Sequence, residues 1–165
     1  MSLGAALGAC LMLPVLAMAA TQAPKVAVRF GPPAGLSENR DRSYVSKQQG
    51  AWLVQLGLYM QKTISPGLAG NERAEIEVRD LKFAGNVESW SGPAGSGPRV
   101  VRDTTPPRMH VVFRVVDENG QVLRSGERKL RDMNFMVSTG SPGDTLRYEK
   151  SLVDDWVDLD FPARP

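Results

Sequence analysis

The chain has 165 residues, 42% of them hydrophobic and 23% charged. That length and balance suit one globular domain and exclude a wholly disordered or collagen-like chain. Lys and Arg number 20 against 18 acids, a net charge of +2, too small to make nucleic acid or an anionic membrane surface the main partner. One Cys and one His exclude an internal disulfide and a four-ligand zinc site of the usual type.

Leu3 to Ala20 form an apolar run with no charged side chain before Lys25. A secretory signal needs an apolar core of about 7–15 residues followed by small residues at −3 and −1 of the cut. Ala17-Met18-Ala19 supplies that pair, so residues 1–19 read as a signal peptide cleaved after Ala19. The run lacks a preceding Lys or Arg, which leaves the amino group of Met1 as its positive end. Two other readings compete: an uncleaved anchor, since about 17–25 apolar residues span a bilayer, and a lipoprotein signal cut before Cys10 in Leu7-Gly8-Ala9-Cys10. Pro14 and the peptidase-like site weigh against the anchor, and the apolar residues continuing past Cys10 weigh against the lipoprotein. The expectation is a secreted bacterial protein, periplasmic, free of cysteine after cleavage and without a stable membrane span.

In the mature chain, Val26, Val28 and Phe30 alternate with polar or small residues as a first strand, which Gly31-Pro32-Pro33 stops. From Tyr44 to Ile64 the apolar residues recur at helical spacing, with Val45, Trp52, Leu56 and Tyr59-Met60 on one stripe. Trp52 and Tyr59 on that stripe read as core. Ser65-Pro66-Gly67 and Gly70-Asn71 end the helix. Ala74, Ile76 and Val78 alternate as a second strand, whose phase then slips so that Leu81 and Phe83 carry the apolar side. One extra residue near Arg79-Asp80 explains the slip, and a β-bulge is predicted there.

Residues 85–98, which include Gly92-Pro93-Ala94-Gly95-Ser96-Gly97-Pro98, read as a long flexible loop carrying Trp90. Met109 to Val116 is a strand apolar at nearly every position, a pattern that predicts cover on both faces. Asp117-Glu118-Asn119-Gly120 predicts a hairpin turn with positive φ at both Asn119 and Gly120. Gln121 to Leu130 is the return strand, its charges marking an edge. A last helix follows Asp144 or Thr145 as N-cap and runs to about Val157, with Tyr148, Leu152 and Trp156 on one face. The order β-α-β-loop-β-β-α gives an α+β fold over residues 24–161: a small antiparallel or mixed sheet with two main helices packed on one face.

Chemistry is sparse. His110, the single imidazole, lies in an apolar strand and has no second His and no Gly-x-Ser-x-Gly stretch to work with. The glycines of residues 92–97 lack the Lys-Ser or Lys-Thr ending of a phosphate-binding loop. Asp154 and Asp158, four apart, read as a solvated helix face in preference to a weak calcium site. No metal site or cofactor is assigned, and no catalytic residue. Arg99, Arg102, Arg108, Arg114, Arg124, Arg128, Lys129 and Arg131 interleave with acids, so they read as solvated surface and not as a nucleic-acid groove.

One resemblance is carried by Val100-Val101-Arg102-Asp103, Pro106-Pro107, Arg108 to Val116, the Asp117–Gly120 turn, Leu130 to Met136, Leu146 to Lys150 and Asp154-Asp155-Trp156. Over most of the mature chain these segments resemble the bacterial family called domain of unknown function 3016. The resemblance implies periplasmic residence and carries over no activity. Trp90, Met133, Phe135, Arg147 and Tyr148 are the candidate binding residues, because Asp132–Met136 and Leu146–Lys150 mix aromatic, adaptable and charged side chains. Met133, Phe135, Tyr148 and Trp156 are equally explained as core between sheet and helix, and core is the favoured reading. The expected function is a non-enzymatic binding or assembly module that engages an envelope protein; the alternative is a periplasmic hydrolase built on Asp103, Asp132 and Asp155.

Overall fold

The computed structural model describes residues 24–32, 35–38, 47–88, 99–137 and 141–164. The predicted signal peptide, the predicted helix start at Tyr44–Ser46 and most of the Gly-rich loop, Trp90 included, lie outside the described residues. In chain order the elements are β1 (Val26–Phe30), α1 (Lys47–Ile64), β2 (Arg73–Lys82), β3 (Asn86–Val87), β4 (Arg99–Val100), β5 (Arg108–Val116), β6 (Val122–Arg131) and α2 (Arg147–Asp160). Four of the strands form one mixed sheet in the order β1-β2-β5-β6, and β3 pairs with β4 as a separate two-stranded ribbon. β1 runs parallel to β2 because α1 intervenes as a crossover, whereas β2, β5 and β6 are antiparallel neighbours.

Alternation decides which face each residue takes. Val26, Ala74, Ile76, Val78, Leu81, Met109, Val111, Phe113 and Val115 all turn to one side, and there they meet Leu56, Met60 and Ile64 from α1 and Leu152, Val153, Trp156 and Val157 from α2. Both helices therefore cover the same face of the sheet, which is the predicted α+β arrangement. The predicted bulge is present: the register of β2 against β5 shifts between Val78 and Asp80, so Arg79 is the extra residue and Leu81 returns to the core side. No helix among the described residues is long and apolar enough to cross a membrane.

Several expectations need correction. The last helix has Leu146 at its N-cap with no side-chain cap, not Asp144 or Thr145, and the Arg99 side chain is not solvated but largely buried against Glu149. The apolar run of β5 does not signal two covered faces, because Arg108, His110, Val112 and Arg114 alternate with the buried set on the side away from the helices. Residues 85–98 are not wholly irregular, since Asn86–Val87 pairs with Arg99–Val100. The hairpin turn has positive φ at Gly120 alone, at 80°. Asp117 shapes that turn: its Oδ1 accepts from the backbone N–H of both Asn119 and Gln121, each at 2.8 Å. The three residues between Asp117 and Gln121 thus form a tight turn closed by glycine in the left-handed region.

After α1, the chain makes a single tight turn at Ser65–Gly67 beneath the end of α2. A Cβ at Gly67 would fall on the backbone carbonyl of Phe161, well inside van der Waals contact, whereas one at Gly70 meets nothing within 4 Å. Gly67→Ala is therefore expected to destabilise the domain by about 1–3 kcal/mol. Thermal denaturation should show a lowered Tm for Gly67→Ala and an unchanged one for Gly70→Ala.

Candidate functional site

Residues paired across neighbouring strands share a face, so the registers lay out the helix-free side of the sheet in rows. Ala27, Glu75, Arg114 and Ser125 form the first; Arg29, Glu77, Val112 and Glu127 the second; Asp80, His110 and Lys129 the third; Lys82, Arg108 and Arg131 the last. The first two rows floor an open groove of about 710 Å³, whose lining includes Ala27, Arg29, Glu75, Glu77, Val112 and Arg114. The groove is of mixed charge and largely self-paired: Arg114 Nε donates to Glu75 at 2.6 Å, and Arg79 Nε to Glu77 at 3.3 Å. Arg29 makes no ion pair with a carboxylate among the described residues. In the third row, His110 Nε2 lies 2.6 Å from Glu127, and that contact holds the Glu127 carboxyl below the usual carboxylate range.

The remaining shifted groups serve the packing of the fold. Ser37 donates its backbone N–H and its hydroxyl to Asp80 at 2.6 and 2.7 Å, tying residues 35–38 to β2. Burial raises the Asp80 pKa and these bonds outweigh it, so the group lies below its ordinary value. Between the helices, Tyr59 donates its hydroxyl to Asp154 at 2.7 Å. Burial first, then that carboxylate, pushes the Tyr59 pKa up to about 12, and burial likewise raises Asp154. Asp154 is thus engaged by Tyr59, and no group of three His, Asp or Glu able to hold a metal ion occurs among the described residues.

A family model described as "Protein of unknown function (DUF3016)" matches residues 24–159. The chain belongs to the DUF3016 family. Comparisons with curated proteins and with solved structures returned no match.

Within this DUF3016 domain, the structure separates the residues singled out from sequence. Phe135 and Tyr148 are buried together with Ala84 in a small second core, their rings edge to face at 5.0 Å. The Arg147 guanidinium lies over the Tyr148 ring and donates to its hydroxyl. Both aromatics are buried in that packing, as the core reading expects, whereas Met133, read with them as core, is exposed. Trp90 lies outside the described residues. Asp103 is exposed in the turn after β4, Asp132 accepts the backbone N–H of Asn134 at 2.8 Å, and Asp155 is exposed on α2. The groove and the row of cations beyond it were missed in the sequence. Their only signal there was polar residues alternating on four strands, which reads as ordinary solvated surface.

Proposed function

We propose that this DUF3016 protein is a non-enzymatic binding module of the bacterial envelope that takes a segment of a partner protein on the open face of its sheet. The groove of about 710 Å³ on that face carries the reading: it is concave, and both helices pack on the opposite side. Arg29 stands in the groove without a described carboxylate partner, so the segment that fits it brings an acidic side chain. Non-enzymatic is the better reading because the carboxyl groups displaced from their ordinary pKa are engaged within the fold: Asp80 with Ser37, Asp154 with Tyr59, Glu149 with Arg99, Asp144 with Lys150 and Glu127 with His110. Export to the periplasm is supported by the apolar run that ends in Ala17-Met18-Ala19.

The test is site-specific photo-crosslinking in intact cells, with the crosslinker at Val112 in the groove or at Asp155 on α2. A discrete adduct from Val112 and none from Asp155 is expected, on a chain whose amino-terminal sequence begins at Ala20. Arg29→Glu should weaken binding of the partner so identified by about tenfold or more, the scale of one charge-assisted hydrogen bond. Equal crosslinking from both positions, or full affinity in Arg29→Glu, would overturn the reading.

A further inference from the structure

At one end of the open face the sheet places three cations side by side. Lys82 on β2 is the direct partner of Arg108 on β5, and Arg108 is the direct partner of Arg131 on β6. Like charges opposite one another on neighbouring strands are destabilising, so this row opposes folding unless something negative meets it. Lys82 has a share in one carboxylate, Glu38 at 3.2 Å, which also accepts the backbone N–H of Phe83 at 3.1 Å. Arg108 acts on Asp80, but that carboxylate is held by Ser37. Neither Arg108 nor Arg131 makes an ion pair with a carboxylate among the described residues.

Beside the row is a small cleft of about 160 Å³, lined by Lys82, Arg108 and Arg131 together with Asn86, Thr104 and Thr105. That volume is below the range of organic-ligand pockets, about 300–1,000 Å³, and suits a compact ion. Its lining combines two guanidinium forks, an ammonium group, the Thr104 hydroxyl and an amide; the Thr105 hydroxyl already donates to the Arg102 carbonyl at 2.8 Å. Guanidinium forks match the oxygen spacing of phosphate, which they hold by paired, charge-assisted hydrogen bonds.

We propose that the Lys82–Arg108–Arg131 row, with the adjoining Asn86 and Thr104, is a binding site for a phosphate group. The site is separate from the groove, which occupies the opposite rows of the face, so either reading can fail without the other. The phosphate belongs to a soluble phosphate compound or to a lipid headgroup, and the chemistry of recognition is the same in both.

The test uses the purified protein, with calorimetry and thermal denaturation against inorganic phosphate and pyrophosphate, each compared with chloride at matched ionic strength. Cosedimentation with phosphatidylcholine vesicles, with and without phosphatidylglycerol, distinguishes the sources. Phosphate or pyrophosphate should raise the Tm where chloride does not, and Arg131→Gln should weaken binding by about tenfold or more. Arg29→Gln, in the groove, should leave it unchanged. Without ligand, Arg131→Gln should have a Tm equal to or above that of the unaltered protein, because it relieves a like-charge pair; this separates lost binding from misfolding. Binding of soluble phosphates alone assigns a free phosphate compound. Sedimentation with phosphatidylglycerol that Arg131→Gln abolishes assigns a headgroup. An effect of chloride equal to that of phosphate, no binding in any arm, or equal binding by Arg131→Gln would overturn the proposal.

Discussion

Trp156→Ala is expected to destabilise the domain by about 3–5 kcal/mol, the usual cost of emptying a buried large aromatic site. Trp156 is 1% exposed, and its ring lies against Phe113 and Phe161, with centroids 6.0 and 5.5 Å away. It also does polar work: its Nε1–H donates to Asp160 Oδ2 at 2.7 Å, while the other oxygen of that carboxylate pairs with Arg128 at 2.8 Å. Truncation therefore opens a cavity between α2 and β5 and loosens the tie from α2 to the edge strand β6. Against a total stability of about 5–15 kcal/mol, the loss should appear as a Tm lowered by roughly 10 °C. Asp155, next in the chain, is exposed, and Asp155→Asn should shift Tm by little. A Trp156→Ala protein as stable as the Asp155→Asn one would mean that α2 does not dock through Trp156.

That helix was legible in the sequence because its stripe repeats at the helical period and its polar residues fill the other side. The bulge at Arg79 was legible for a related reason, since a strand with one buried face must change phase where a residue is added. Val111-Val112 in β5 was misread because two adjacent valines look the same whether both faces are covered or one is open. His110 and Arg114, two residues to either side of Val112, and its partners Glu77 and Glu127 in the neighbouring strands show that its side is the polar one. Asn119-Gly120 pointed to the right turn position and the wrong turn, since the Asp117 side chain supplies bonds that a dipeptide rule does not contain.

The candidate site was not legible, and the reason is register. Arg29, Glu75 and Arg114 lie on three strands far apart in the chain, and so do Lys82, Arg108 and Arg131. Each alone is an exposed charge at an alternating position, which in a sequence is indistinguishable from solvation. A row of three cations exists because the bulge after Val78 and the turn after Val116 set which residues face one another. A shift of one residue in β6 would replace Arg131 opposite Arg108 by a core-side residue. Conversely, Phe135 and Tyr148 stood out in the sequence as aromatics among polar residues, and the fold used them for a second core.

Loss of Arg99 should be costly in a way that depends on pH. Glu149, the most deeply buried acid among the described residues, has no exposed surface; its Oε1 accepts from the Ala84 backbone N–H at 2.7 Å and from Arg99 at 2.8 Å, and its Oε2 has no hydrogen-bond partner among the described residues. Arg99 is itself packed over the Trp52 and Phe83 rings, at 5.3 and 5.2 Å from their centroids. Burial raises the Glu149 pKa above its ordinary value of 4.5, and the Arg99 charge acts against that rise. The native state therefore holds the proton more tightly than the unfolded chain, so between 4.5 and the raised native value stability falls as pH increases. Arg99→Ala removes the opposing charge, which raises the native pKa further and extends that window upward. At neutral pH the variant should lose about 3–5 kcal/mol, the cost of leaving one member of a buried pair alone. The loss should shrink as the pH is lowered toward 4.5, where a protonated Glu149 no longer needs a cation. Adding Glu149→Gln to Arg99→Ala should recover part of the stability at neutral pH, since the amide carries no charge to leave unpaired. Urea denaturation of the three proteins across that pH range measures all of this. A deficit in Arg99→Ala that is the same at every pH would assign its cost to lost packing on Trp52 and Phe83, and not to the charge of Glu149.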